Sequence, residues 1–256
     1  MLPSLVRLKK SYLSLTRKQE ATFVLPEKRL SRSKGENSIF YPETRFVAAF
    51  YANPVFPKQL IENGAFLPLT ALTRDMRYVV STTNPYDFSI LPATTWKNMQ
   101  DAIQKFKPIV VIWSGHTTFD GSKRALVFET EQGFVDPFFV AAQTLSSALE
   151  KMDSVKLVCL MGCETTSIVN QMPPEIRTRC KFISWKTIVE DNAAVAFVSG
   201  LVDGLREYAV ESLDFAVVDA QSLFDRACSK FIDAGFKFGD PILSNHTTQG
   251  QPHLSV

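Results

Sequence analysis

Val110-Val111-Ile112-Trp113-Ser114-Gly115-His116-Thr117-Thr118-Phe119-Asp120 is the stretch on which the fold turns. An apolar run begins just after Pro108 and stops abruptly at Ser114-Gly115-His116. A short apolar run bounded by breakers has the pattern of a parallel strand buried on both faces. His116 then falls just past the strand's carboxyl end. That edge of an open α/β sheet is where ligands and chemistry collect. A second stretch repeats the pattern: Val155-Lys156-Leu157-Val158-Cys159-Leu160-Met161-Gly162-Cys163-Glu164. If the two strands are parallel neighbours, His116 and Cys163 share one rim.

The chain has three histidines and four cysteines. His246 and His253 lie in a polar tail. Cys159 is inside the second strand, Cys180 lies just ahead of a third, and Cys228 sits in a helical stretch. Only His116 and Cys163 follow strands directly. Taken singly, a histidine or cysteine is more often structural. Taken together, an imidazole beside a thiol makes an activated nucleophile, because the base raises the thiolate fraction. On the same reading, the N-terminus of a helix starting near Glu164 adds to that effect.

Composition sets the frame. The 256 residues are 45% hydrophobic and 21% charged, with a net charge of +2. This is ordinary globular composition, long enough for one domain of about 200 residues plus extensions. Four irregularly spaced cysteines with no CxxC pair argue against a zinc site or a disulfide framework, so no metal and no cofactor is expected. Reduced thiols point to an intracellular, cytoplasmic protein. No apolar run approaches the length of a membrane span, and the N-terminus lacks the apolar core of a secretory signal. Residues 1–36 carry nine basic side chains against Glu20, Glu27 and Glu36, which leaves the remainder mildly acidic. The first nineteen residues hold no acid, as in mitochondrial presequences, so mitochondrial targeting is the alternative to a solvated extension. Basic residues do not cluster after this segment, so no nucleic-acid partner is expected.

In order along the chain, residues 1–44 form the basic extension, 45–240 the globular body and 241–256 a polar tail. Phe46 to Tyr51 has the pattern of a strand stopped by Asn53-Pro54. Leu69, Leu72, Met76, Val79 and Val80 recur at helical spacing. Phe88 to Leu91 is a short strand, and Thr94 or Thr95 caps a helix to Phe106. After the Val110 strand, Ala125–Glu129 and Phe134-Val135 flank Glu131-Gln132-Gly133 as a hairpin. Asp136 with Pro137 then opens a helix to about Lys151. Phe182 to Trp185 is a further strand, Asp191 opens a helix through Tyr208, and Ser212 or Asp214 opens another to about Ala234. The alternation predicts an α/β fold, a three-layer α/β/α sandwich on a mainly parallel sheet.

These segments together resemble a CHAT domain of the caspase–separase clan of cysteine peptidases. The resemblance covers about residues 45 to 235. It rests on the Asn53-Pro54 step, the helix over 67–78, the Ser114-Gly115-His116 strand end, the hairpin with Gly133 and Asp136, and Met161-Gly162-Cys163-Glu164-Thr165. The last string is close to the "ACET" form of CHAT proteins and the "MGC" form of separases. The resemblance implies a cysteine endopeptidase. Cys163 attacks a peptide carbonyl and forms a thioester, His116 serves as general acid–base, and backbone N–H groups of Thr117 and Cys163 hold the oxyanion. It implies a protein or peptide substrate and is compatible with a regulatory partner. The loop after Trp185 supplies Lys186, Glu190 and Asp191 as candidates for the substrate pocket, with a slight lean to a basic side chain. The chain departs from the family at Thr117, where Gly is usual, and at Thr165-Thr166-Ser167, where Gly follows the nucleophile. Those departures keep a second reading open: a degenerate relative that binds without cleaving.

Overall fold

A computed structural model describes residues 46–54, 69, 71–82, 88–130, 138–211, 219–236 and 241–244, which lie in one compact unit. The basic extension, with its targeting reading, and the tail histidines lie outside the described residues. Nine strands and seven helices follow in chain order among the described residues. They are β1 (Val47–Ala52), α1 (Leu72–Thr82), β2 (Phe88–Leu91), α2 (Trp96–Phe106), β3 (Val110–Gly115), β4 (Thr117–Asp120), β5 (Lys123–Phe128) and β6 (Phe138–Ala141). There follow α3 (Ala142–Glu150), β7 (Leu157–Met161), α4 (Thr166–Asn170), α5 (Pro174–Arg179), β8 (Lys181–Trp185), α6 (Asp191–Glu211), α7 (Ala220–Asp233) and β9 (Pro241–Ser244).

The main sheet has the order β2-β1-β3-β7-β8-β9. All its pairings are parallel except the last, where β9 runs antiparallel to β8. Burial explains the composition of the central strands. Every residue of β1, β3 and β7 is buried, because helices cover both faces. Alternate side chains feed two cores. Ala49, Ile112, Cys159 and Ile183 pack under α1, α6 and α7, while Phe50, Val111, Val158 and Phe182 pack under α2 and α3. This is the expected three-layer α/β/α sandwich. Thr95 caps α2, its hydroxyl accepting from the Asn98 N–H at 3.1 Å.

The chain passes from β1 to β2 on one side and returns to β3 on the other. The carboxyl ends of β1 and β3 therefore form a topological switch point, which leaves a crevice there.

Four local expectations change. First, β5 pairs with β4 and β6 in a separate antiparallel sheet of order β4-β5-β6, and Phe134-Val135 lie outside the described residues. Second, the helix expected from Asp136-Pro137 begins at Ala142. The preceding Phe138–Ala141 is strand β6, held by the ladder Ala125↔Ala141 to Phe128↔Phe138. Four ladder partners outweigh one cap. Third, the last long helix starts at Ala220 with Asp219 as its cap, the carboxylate accepting from the Gln221 and Ser222 N–H groups at 3.0 and 3.2 Å. Ser212 and Asp214 lie outside the described residues. Fourth, the sheet continues past Asp240: Pro241–Ser244 pairs with β8 as an edge strand, where proline's missing N–H is tolerated.

Candidate active site

The residues flanking the crevice converge because of strand register. Ser114 pairs with Met161 across β3 and β7, and His116 and Cys163 each lie two positions beyond that pair. Both side chains are half-buried and line one cleft of about 230 Å³ at the carboxyl ends of the strands. Cys163 Sγ donates to the Val189 carbonyl at 3.8 Å, which brings the loop after β8 over the thiol.

Thr117 opens β4. Val127 N–H donates to the His116 carbonyl at 3.0 Å, so the next pair, Thr117↔Leu126, is a non-hydrogen-bonded pair of the ladder. The Thr117 N–H thus turns away from β5. Its hydroxyl donates to the Cys163 carbonyl at 2.5 Å, tying the strand after His116 to the loop that carries Cys163. A glycine at position 117 could not make this bond.

The loop that carries Cys163 is fixed by hydroxyls. Thr165, fully buried, donates to the Leu160 carbonyl at 3.0 Å and accepts from the Trp185 N–H at 2.9 Å. Thr166 and Ser184 share a hydrogen bond of 3.0 Å, and Ser167 Oγ donates to the Glu164 carbonyl at 2.9 Å. The left-handed conformation of this turn falls on Glu164, with φ of 52°, whose N–H donates to the Thr187 carbonyl at 3.0 Å. Helix α4 starts only at Thr166 and has five residues, with no side-chain bond at its Thr165 cap. The helix expected near Glu164 is thus one short turn that begins beyond the thiol. Its aligned dipole is small.

Of the three pocket candidates, Asp191 lines the cleft. Lys186 and Glu190 are exposed outside its lining; the Glu190 carboxylate accepts from Asn192 Nδ2 at 3.1 Å, and its carbonyl accepts the Ala194 N–H of the first turn of α6. The cleft also contains three charged residues that sequence reading passed over. Arg124 of β5 forms an ion pair with Glu164, the residue after Cys163. Asp75 of α1 is 3% exposed, and its carboxylate accepts from Ser114 Oγ at 3.5 Å. Burial pushes the Asp75 carboxyl up to about 8, with the Ser114 hydroxyl opposing. The signal for Asp75 was present in the sequence: an acid at position 75 interrupts the apolar face formed by Leu72, Met76 and Val79.

Two glycines let the backbone close over Trp113. A Cβ on Gly162 would stand 2.7 Å from the Gly115 carbonyl oxygen, 3.0 Å from the Trp113 ring and 3.2 Å from Thr117 Cγ2. The carbonyl is backbone at the end of β3 and cannot yield, so the turn carrying Cys163 must move. Gly162→Ala is therefore expected to cost about 2 kcal/mol through overpacking. It should also slow electrophile labelling of Cys163 by ~10²-fold through misplacement of the thiol. Gly121→Ala is the control: φ there is 62°, but a Cβ meets nothing within 4 Å. That variant should lose about 1 kcal/mol by backbone strain and label normally. Normal labelling of the Gly162 variant in a thiol kinetic assay would contradict this account.

No protein-family model matches the chain, and no curated relative matches it. Among solved structures it is similar to caspase-1 from Spodoptera frugiperda, at 12% identity and a TM-score of 0.45, covering 87% of this chain and 97% of that one. It is also similar to a secreted C11 cysteine protease from Bacteroides thetaiotaomicron in complex with an irreversible peptide inhibitor. There the identity is 10% and the TM-score 0.44, covering 75% of this chain and 58% of that one. A third likeness is to the Drosophila initiator caspase Dronc, at 10% identity and a TM-score of 0.40 over 84% of this chain and 87% of that one.

Proposed function

We propose that the chain is a cysteine endopeptidase of the CHAT/caspase-like type. The observation that carries this reading is the single cleft lined by both His116 and Cys163, at the ends of adjacent parallel strands. Cys163 Sγ gives its proton to His116 and attacks the peptide carbonyl carbon. The C–N bond breaks as His116 returns the proton to the leaving nitrogen, and water then hydrolyses the thioester. The outward N–H of Thr117 and that of Cys163 are the donors for the oxyanion. Asp75 and Asp191 line the walls, which favours a basic side chain on the substrate. No helix among the described residues is long and apolar enough to cross a membrane.

A peptide ending in an acyloxymethyl ketone after Lys or Arg tests the reading. Incubation with the full chain should give one adduct, on Cys163, with loss of the carboxylate leaving group. The same warhead on Asp should react at least ~10-fold more slowly. No adduct with either peptide would favour the degenerate, binding relative. That reading has one observation of its own: the Thr117 side chain occupies space at the Cys163 backbone that glycine would leave open.

A further inference from the structure

Arg124 has no task in the mechanism above, yet its surroundings fix it with care. It lies on β5 opposite Phe119 of β4, and its guanidinium carbon sits 3.9 Å from the centre of that ring. It also pairs with the Glu164 carboxylate. The Arg124 side chain is 15% exposed, so its charge is only weakly screened. Glu164 immediately follows Cys163, and its backbone is clamped to Thr187. The stacked ring and the carboxylate therefore hold the guanidinium of a residue that lines the same cleft as Cys163.

We propose that Arg124 is the cation that draws Cys163 toward its thiolate, and that Glu164 tempers it by offsetting part of its charge. The S–H bond breaks, the electron pair stays on sulfur, and the proton passes to His116 or to water. The other titratable groups facing this space are Asp75 from α1, His116 beyond β3 and Asp191 from α6. None of the carboxylates favours a thiolate, and the one-turn α4 offers little dipole. Burial holds the Arg124 guanidinium below the usual arginine range, and the charge of Cys163 acts against that depression. The inference uses the peptidase reading only in naming Cys163 as the nucleophile.

The test is the rate of Cys163 alkylation by iodoacetamide in the full chain between pH 5 and 10, read by mass spectrometry of the Cys163 peptide. Arg124→Gln should raise the midpoint of the pH profile by ~1 unit, and Arg124→Lys should keep it within ~0.3 unit of the wild type. Glu164→Gln should lower it by about half a unit. The opposite signs separate charge from structure, since loosening of the turn would move both variants the same way. Shifts of one sign, or no shift in either, overturn the proposal. If Arg124→Gln does not fold, Glu164→Gln decides alone: a midpoint that stays or rises overturns it. A chain that cleaves no peptide but shows the opposed shifts defeats the peptidase reading and leaves this one standing.

Discussion

In the proposed peptidase, Cys163→Ala is expected to abolish peptide-bond cleavage, a loss of ~10⁴-fold or more in kcat/KM, because Cys163 is the group that forms the thioester. His116→Ala should slow cleavage by ~10²- to 10⁴-fold, the range for removal of a general acid–base. Cys159 supplies the internal control. It lies four residues earlier, fully buried under α6 with Ile112 and Ile183 as neighbours in the same core. Burial pushes its thiol far up, which leaves it inert as a nucleophile. Cys159→Ala should leave cleavage within about twofold while costing ~1 kcal/mol of stability through a small cavity. Hydrolysis of a fluorogenic basic-residue peptide, beside urea unfolding of each variant, reads both quantities. Equal labelling of the two cysteines, or labelling indifferent to His116, would show that the pair is no dyad.

The parts of the site that could be read from sequence are those carried by long buried strands. Val110–Trp113 and Leu157–Met161 are apolar throughout, and a glycine close behind each, Gly115 and Gly162, announces the turn. Two such strands were enough to predict parallel neighbours, with His116 and Cys163 just beyond their ends. Short elements carry no such period. Thr117–Asp120, Phe138–Ala141 and Pro241–Ser244 have four residues each and exist because a ladder partner is already in place. Nothing local distinguishes them from loop or helix start, and Asp136-Pro137 and Asp240-Pro241 carry signals that point the other way. Arg124 and Glu164 were illegible for a related reason. Their meeting depends on how the β4–β5 hairpin lies against the turn after β7, which is a property of packing and not of spacing. Asp75 was legible as an anomaly on an apolar helix face, but its depth and its position on the cleft come only from the docking of α1 on the sheet.

Asp75→Asn is expected to stabilise the fold increasingly as pH rises. The wild-type carboxyl is buried, its Oδ2 has one long bond to Ser114, and its Oδ1 has no hydrogen-bond partner among the described residues. Burial lifts its pKa from 3.8 to about 8. Below about pH 4 both folded and unfolded chains hold the proton, and the full stability is present. Between pH 4 and 8 only the folded chain holds it, so stability falls with pH by ~1.4 kcal/mol per unit, or ~5 kcal/mol across the window. Above pH 8 both states are ionised and this contribution is flat. Asparagine does not titrate, so the variant should gain ~3 kcal/mol on the wild type between pH 5 and pH 8. Urea unfolding at the two pH values, with unchanged m-values, measures it. A difference independent of pH would mean that the carboxyl is not buried as described. A fold that keeps so costly an acid in its cleft gains something by it. In the peptidase reading, the gain is a counter-charge. A basic substrate side chain entering the cleft ionises Asp75 and pairs with it away from water. Asp75→Asn leaves that cation unpaired, so kcat/KM for Lys and Arg peptides should drop by ~10²-fold while a small neutral side chain is unaffected. The same substitution that makes the protein more stable thus makes it less selective, because a charge that folding must bury is one that a bound cation can use.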